Sequence, residues 1–408
     1  MFVLSIISGA RRIDDGKRTA SPVIAAGPDD RSAAVPRILS IDALRGCVIL
    51  LMLVDHTREF FYLHAQVSDP MDLRTVAPAL FFTRIAAHLC APIFVALTGL
   101  AAWLYAAPRG GAAAASTFLF KRGLFLIALE WTVINFAWSF DPTPATIYLQ
   151  VIWAIGIAML ALALLVHLPR PAIIVFGLAV VLGHNLLDPI AIPAGQPGHI
   201  LWAVLHDRGL LDLPGGGEVR TSYPVLPWIG VIALGYAVGP WFARGTLPVT
   251  RQRALGAIGL ATLLLFGLLR TINNYGDPTP WQPQQSTLTT IMSILNLTKY
   301  PPSADFLLVT LGLGAWSLAM LERLPIRPAK LLAVWGSVPL FFYILHLYLL
   351  HGLNCIAGML LGADGLISVS TVGAIWLIAA LVAIPCWFAC RRFAAIKRAS
   401  GGWWMRYL

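Results

Sequence analysis

Apolar stretches long enough to cross a lipid bilayer recur along almost the whole chain from Ile38 onward. A transmembrane helix needs roughly 20 mostly apolar residues, because each residue advances the helix axis by only about 1.5 Å. Such stretches occur at about ten places, which are residues 38–62, 80–106, 118–139, 147–168, 171–187, 224–243, 252–270, 303–321, 332–353 and 366–390. We therefore expect an all-α fold, a polytopic integral membrane bundle of about ten transmembrane helices. Because the stretch at 171–187 is short, a count of nine or eleven transmembrane helices stays open.

The composition excludes the main soluble classes. Of the 408 residues, 58% are hydrophobic and 12% are charged, with a mean hydropathy of +0.76. A typical soluble domain is about half apolar and a quarter charged. A soluble globule of this size still exposes about a quarter of its unfolded surface, so it cannot hide this much apolar area. A soluble enzyme, a disordered chain and a fibrous repeat are therefore excluded, and the lipid bilayer is the expected environment.

The positive net charge of +10 does not indicate a nucleic-acid partner. The basic residues stand at the ends of apolar stretches and in alternate loops, as cytoplasmic loops require, rather than on one polar domain. This pattern predicts both termini in the cytoplasm and an even number of helices. We expect a flexible cytoplasmic tail at residues 1–36, a transmembrane domain at 37–392 and a basic cytoplasmic tail at 393–408. The five cysteines lack metal-site spacing, so we expect neither disulfides nor a metal.

Ionisable residues concentrate in the first apolar stretch, where they are costly and therefore candidates for function. Asp42 and Arg45 lie three residues apart and are expected to pair on one helix face near the cytoplasmic end. Arg45 and His56 lie eleven residues apart, close to three full turns, and are separated by roughly 16 Å along the axis. A cation and an imidazole on one stripe suit a long ligand with an anionic head and a reactive far end. Acyl-coenzyme A has that shape.

Histidine suits the deeper position because its pKa lies near neutrality and it can accept a proton from an attacking nucleophile. Asp55 is expected either to orient the His56 imidazole or to serve another helix. The alternative for His56 is a buried histidine that bonds a backbone carbonyl. The alternative for Asp42 and Arg45 is an interfacial ion pair with a snorkelling arginine.

Further candidates come from other segments. His88 lies four residues before Pro92, where a proline kink can open a cavity. His346 lies within a later apolar stretch. His64 follows the first stretch and is a second candidate for the base. Tyr300 borders one of the long outer loops, where aromatic rings either stack on sugars or anchor helices at the interface.

Five segments of the sequence resemble one known family. They are RILSIDALRGCVILLMLVDH, HLCAPIFVALTG, YPVLPWIGVIALGY, TKYPPS and GSVPLFFYILHLYLLH, which together extend over about residues 37–390. They are similar to the heparan-α-glucosaminide N-acetyltransferase catalytic-domain family, within a broader group of transmembrane acyltransferases. In that broader group an arginine and a histidine eleven positions apart mark the first helix, and Arg45 and His56 match this pair.

The resemblance implies transfer of an acetyl group from cytoplasmic acetyl-CoA to a sugar or envelope glycan at the outer face, in a bacterial inner membrane. We expect Arg45 and Asp42 to bind the donor, and the remaining candidates to act on the two substrates. The catalytic set is His56, Asp55 and His88, and the acceptor-binding set is His64, Tyr300 and His346. The sequence does not decide whether His56 or His64 is the catalytic histidine, or whether the protein forms a homodimer. The rival function is a proton-coupled transporter that uses Asp55, His56 and Glu130 as a relay.

Overall fold

The computed structural model describes residues 38–62, 71–214, 216–362, 366–400 and 402. These residues belong to one compact unit that begins at Ile38. The predicted N-terminal tail, His64 and residues 403–408 lie outside the described residues.

Helices make up most of the described chain, as the sequence predicts. In chain order they are α1 (Leu39–Phe61), α2 (Pro78–His88), α3 (Cys90–Ala106), α4 (Ala112–Leu129), α5 (Asn135–Ser139), α6 (Val151–Leu165), α7 (Arg170–Gly183), α8 (His199–Leu205), α9 (Leu226–Ala237), α10 (Pro248–Ile272), α11 (Thr287–Leu295), α12 (Ala304–Leu321), α13 (Ile326–Gly336), α14 (Pro339–Leu361) and α15 (Val372–Ala399). α15 continues through the first residues of the predicted C-terminal tail. A π-helical turn, Glu130–Ile134, joins α4 to α5.

Seven helical segments among the described residues are long and apolar enough to cross a membrane. They are Pro78–Ala106, Ala112–Ser139, Arg170–Leu187, Pro248–Ile272, Ala304–Leu321, Pro339–Leu361 and Val372–Ala399. Two shorter apolar segments are Val151–Leu165 and Leu226–Phe242. Large apolar side chains such as Leu264, Met359 and Leu381 are exposed on their outer faces. Because this much exposed apolar surface is unfavourable in water, the chain is a multi-pass membrane protein.

Two predicted stretches are divided in the structure. The stretch at 80–106 consists of α2 and α3, which meet at Leu89, because Pro92 cannot donate to the carbonyl of His88 and its ring collides with that turn. The stretch at 332–353 is wrong as a single helix. It is divided between α13 and α14 by the Ser337–Val338 junction before Pro339.

A small sheet, absent from the all-α prediction, lies in the connections. Strand β3 (Glu218–Thr221) is central, pairing in parallel with β1 (Thr146–Leu149) and antiparallel with β2 (Leu210–Asp212). The predicted helix at 147–168 therefore begins later, at Val151. We call residues 140–150, 188–214, 216–225 and 273–303 the loop layer, because they contain this sheet together with α8 and α11.

Helix α1 lies at the centre of the bundle, in contact with α2, α3, α12, α13, α14 and α15. Its contact with α13 is a backbone contact. A Cβ added at Gly336 would lie 1.8 Å from the carbonyl oxygen of Asp42, and one at Gly46 would lie 2.0 Å from that of Leu332. Small residues let helices approach this closely inside a membrane. The contact fixes the end of α1 that carries Arg45.

Candidate active site

Two histidines from distant parts of the chain form a hydrogen-bonded pair. His56 Nδ1 on α1 lies 2.7 Å from His346 Nε2 on α14, and the two rings meet edge to edge with nearly parallel planes and centroids 5.0 Å apart. His346 Nδ1 lies 2.8 Å from the carbonyl oxygen of Phe342. Because a carbonyl only accepts, Nδ1 of a neutral His346 carries the proton and its Nε2 is an acceptor. His56 Nδ1 then donates to it, which leaves a lone pair on His56 Nε2.

Aromatic rings hold the His56 imidazole from two further directions. Trp138 on α5 lies edge-on at 5.1 Å between ring centroids, and Tyr343 lies at 5.9 Å. Trp138 follows the π-helical turn, which adds a residue to the turn and rotates the rest of the helix. Asn135 stabilises this turn, because its amide donates to the carbonyl oxygens of Glu130 at 2.7 Å and Tyr148 at 3.0 Å. The π-helical turn thus helps to place the Trp138 side chain against His56.

Asp55 serves another helix rather than the imidazole of His56. Its carboxylate pairs with Arg58 Nε at 3.2 Å and with the guanidinium of Arg84 on α2. Arg58 also pairs with Glu59. Of the two roles predicted for Asp55, the orientation of His56 is taken by His346 instead. Asp55 therefore lies next to His56 in a cluster of two carboxylates and two arginines, which are Asp55, Glu59, Arg58 and Arg84.

A large polar cavity, which we call the wide chamber, opens between the helix ends and the loop layer. Its volume is about 960 Å³. Its walls carry Asp55, His56, His88 and Tyr300, and also the aromatic rings of Trp138, Tyr148 and Tyr223. Among the described residues, its walls carry five cations and two carboxylates; the cations are Arg58, Arg84, Arg208, Arg220 and Lys299, and the carboxylates are Asp55 and Glu59. The chamber therefore combines stacking surfaces with an excess of positive charge.

A second cavity, the narrow channel, is smaller and mostly apolar. Its volume is about 120 Å³, and its apolar walls come from Met52, Cys90, Ala91, Phe94, Leu126, Ile152, Ile155 and Met159. It shares four lining residues with the wide chamber, namely Asp55, His56, Tyr223 and Lys299. It extends to Thr98 on α3 and Arg122 on α4. Two cavities of opposite character therefore adjoin at His56.

The predicted donor-binding residues lie near the far end of the narrow channel. Arg45 pairs with Asp42 at 3.1 Å, as the spacing predicts, and its guanidinium donates to the carbonyl oxygen of Leu97 at 3.3 Å. Leu97 adjoins Thr98, which lines the channel. Arg45 is not among the described residues that line the two cavities. The cation that lines this end of the narrow channel is Arg122.

Tyr300 and Tyr223 join two parts of the loop layer at the chamber wall. The Tyr300 hydroxyl donates to the Tyr223 hydroxyl at 3.0 Å. The Arg208 guanidinium lies 4.9 Å from the centre of the Tyr300 ring, and Lys299 Nζ lies 5.2 Å from it. Burial raises the pKa of Tyr223 well above its ordinary value, so this phenol stays protonated at neutral pH.

A comparison with protein families identifies the chain. The family model described as heparan-alpha-glucosaminide N-acetyltransferase, catalytic, matches residues 37–268, which is more than half of the chain. The chain belongs to this family. Membership implies a membrane acetyltransferase and the use of acetyl-CoA. A comparison with curated proteins finds no match.

The matched residues of this N-acetyltransferase family chain include Arg45, His56 and His88, whereas Tyr300 and His346 lie beyond them. His88 is buried, with its ring 5.1 Å from that of Phe306, and it lines the wide chamber. His346 contacts His56 rather than either cavity, as far as the described residues show. Among the described residues, no contact of His346 with a cavity supports its predicted role in acceptor binding, whereas its contact with His56 is direct.

The proton relay of the rival transporter is not assembled in this N-acetyltransferase fold. Glu130 is buried and accepts a hydrogen bond from the backbone N–H of Trp153 at 2.9 Å, in the first turn of α6. Its carboxyl group there caps the N-terminal end of α6. In the part of the chain that is described, it lines neither cavity. Asp55 is held by two arginines, so the transporter is not favoured.

Sequence reasoning missed several cations of the site. Arg84 lies inside an apolar stretch, and an intramembrane charge was a usable signal for function. Arg122 and Lys299 are two of the basic residues at the ends of apolar stretches, from which the sequence predicts only the topology. Arg220 lies on β3 and Arg208 lies two residues before β2, so both reach the chamber from the region of the small sheet, which the apolar pattern did not predict.

Proposed function

We propose that the protein transfers an acetyl group from acetyl-CoA, bound from the cytoplasmic side, to a sugar or glycan acceptor in the wide chamber. One observation carries this proposal: a narrow apolar channel and a wide polar chamber adjoin at His56. Two substrates of different shape then meet at a single imidazole from opposite directions.

The narrow channel suits the donor. Its apolar walls match an unbranched pantetheine arm, which would bring the thioester to His56. Arg122, with the nearby Arg45–Asp42 pair, would contact the anionic nucleotide end. The wide chamber suits the acceptor, since its rings offer stacking surfaces for sugars and its excess positive charge favours a negatively charged glycan.

The reaction follows from the tautomer of the histidine pair. The acceptor amine or hydroxyl attacks the thioester carbonyl carbon, and His56 Nε2 accepts the proton that the attacking group releases. The carbon–sulfur bond then breaks, and the leaving coenzyme thiolate takes up the proton that His56 accepted, which returns His56 to its neutral form. His346 stabilises the positive charge on His56 through the bond between Nε2 and Nδ1. The second route, in which His56 first accepts the acetyl group itself, uses the same lone pair.

The topology that fits this transfer has ten transmembrane helices. The seven long segments, the two shorter ones and the polar α1 together make ten. Both termini then lie in the cytoplasm, and the loop layer faces the opposite side, in the inner membrane of a bacterium. The described site is assembled from one chain, so a homodimer is not required for the chemistry.

The test measures acetyl transfer in proteoliposomes. Radiolabelled acetyl-CoA is offered with glucosamine and with acidic glucosamine-containing oligosaccharides, and both labelled product and free coenzyme thiol are counted. His56→Ala is expected to lower kcat by about 100- to 10,000-fold, since general bases contribute this much. His167→Ala, at an exposed histidine, is the matched control.

Donor binding is measured separately by thermal stability. Acetyl-CoA is expected to raise the melting temperature of the purified protein more than a nucleotide without pantetheine does, because ligands stabilise the state that binds them. No selective stabilisation, together with no thiol release from wild-type protein, would contradict the proposal. Wild-type transfer by His56→Ala would remove His56 from the mechanism.

A further inference from the structure

A second group of chemically active side chains lies away from the acetyl-transfer site. His184 and Asp188 stand four residues apart at the end of the α7 segment, and His206 immediately follows α8. Each residue offers one ligand atom, and these three atoms lie within 4.8 Å of one another. We call this group the His–Asp–His cluster. The absence of a metal site was predicted from cysteine spacing, which says nothing about histidines.

The two imidazoles of the cluster are buried and incompletely bonded. His184 is 2% exposed and His206 is 1% exposed. In the part of the chain that the structure describes, no hydrogen bond reaches either ring nitrogen of His184 or Nδ1 of His206. The Pro302 carbonyl approaches His184 without the geometry of a full bond. Buried polar atoms are almost always bonded, so these nitrogens require an explanation.

The surroundings of the cluster resemble the outer shell of a metal site. Asp188 Oδ1 lies 3.4 Å from His206 Nε2, while Asp188 Oδ2 accepts a hydrogen bond from the Asn185 amide at 2.8 Å. His206 Nε2 lies 3.1 Å from the carbonyl oxygen of His184, and the Trp202 ring stacks on the His206 ring at 5.0 Å. Bonds from histidine to carbonyls, and from carboxylates to neighbouring donors, are what orient metal ligands in proteins.

We propose that the His–Asp–His cluster binds a divalent transition-metal ion of the zinc type. Two imidazoles and one carboxylate are a ligand set that zinc accepts, with a water molecule completing a tetrahedron. The ion would lie among the three ligand atoms, which are within 4.8 Å of one another. Its contribution is structural, since none of the three ligands lines the wide chamber or the narrow channel among the described residues.

The position of the cluster explains what such an ion would do. It would tie the end of the α7 segment to the segment that follows α8. Arg208 lies two residues after His206 and reaches over the Tyr300 ring in the chamber wall. Asn185, between the first two ligands, also accepts a hydrogen bond from the N–H of Ala304 at the start of α12, at 2.8 Å. The metal would therefore fix the loop layer against two helices.

The test measures zinc binding by the full-length protein in detergent. Protein stripped with a chelator is titrated with zinc and analysed by elemental mass spectrometry after dialysis. We expect one tightly bound zinc per chain, and at least a tenfold weaker affinity for His206→Gln and for His184→Gln. His199→Gln is the matched control, because His199 also lies in the α8 region, but its Nδ1 bonds the carbonyl of Ile192 at 2.7 Å. This control is expected to bind zinc like the wild type.

A second measurement needs no variant. Zinc is expected to raise the melting temperature of the stripped wild-type protein, and cobalt at the site is expected to show the intense visible absorption of a tetrahedral ion. Zinc binding that is equal in the His206→Gln and His199→Gln proteins would overturn the proposal. A wild-type protein that neither retains zinc nor is stabilised by it would also overturn the proposal, and would identify the cluster as a structural contact between His206 and Asp188.

Discussion

The substitution His346→Asn is expected to keep one of the two hydrogen bonds of His346 and to remove the other. An asparagine amide reaches the position of an imidazole Nδ1, so it keeps the contact with the Phe342 carbonyl. It does not reach the position of Nε2, and His56 Nδ1 loses its acceptor. A glutamine amide reaches the Nε2 position instead. His346→Asn is therefore expected to lower kcat, and His346→Gln to restore most of it.

The size of the loss follows from the bond that is removed. The 2.7 Å bond connects His346 to a group that becomes positively charged as it accepts a proton. Hydrogen bonds to charged groups contribute about 1.5–3 kcal/mol. Since each 1.36 kcal/mol changes a rate about tenfold, kcat should fall by about 10- to 150-fold. The KM for acetyl-CoA should change little, because His346 does not line the channel among the residues described.

Acetyl transfer in proteoliposomes measures the effect. His351→Asn is the matched control, because His351 is also buried on α14 with its Nδ1 bonded to a carbonyl, that of Ala137 at 2.9 Å. Melting temperatures of the variants report any general loss of folding. A His346→Asn protein with wild-type kcat would refute the assignment of the His56 tautomer. An equal loss in His351→Asn would attribute the effect to packing.

Three further substitutions test other parts of the structure. Gly336→Ala places a methyl group against the backbone of α1 and should lower the free energy of unfolding by about 1–3 kcal/mol. Gly352→Ala should leave the free energy of unfolding unchanged, because a Cβ there meets no atom within 4 Å. Chemical denaturation measures both variants. Arg122→Ala should raise the KM for acetyl-CoA about tenfold, and the neighbouring exposed Lys121→Ala should leave it unchanged in initial-rate assays. Tyr300→Phe removes the hydrogen bond from the Tyr300 hydroxyl to the Tyr223 hydroxyl in the chamber wall, which is worth about 1 kcal/mol. The KM for the acceptor should rise about fivefold, and the KM for acetyl-CoA should not change. An equal change in both KM values would contradict the division into two cavities.

The sequence predicts the membrane-embedded helices well, because the hydropathy of a spanning segment is a local property. It also predicts the pairing of Asp42 with Arg45, which lie on adjacent turns of one helix. The division between α13 and α14 was missed, although Pro339 stands directly at the break. The small sheet was missed because its strands are short and lie in loops, where no apolar pattern distinguishes them.

The candidate site is harder to predict because its contacts join distant parts of the chain. His56 and His346 are 290 positions apart, and nothing local to either residue indicates the other. Asp55 illustrates the same limit, because its partner Arg84 lies on α2 and the sequence left its role open. Hydropathy and helical spacing therefore identify which polar residues enter the membrane, whereas the packing of the helices decides which of them meet.

The junction of the two cavities has a consequence for the membrane as a permeability barrier. A protein that passes an acetyl group between compartments must not pass water or ions along the same route. In this fold Asp55, His56, Tyr223 and Lys299 border both cavities, so their side chains lie where the two cavities adjoin. In the proposed mechanism the His56 imidazole therefore serves twice, and a smaller side chain at position 56 is expected to increase the leak of water and ions as well as to slow acetyl transfer.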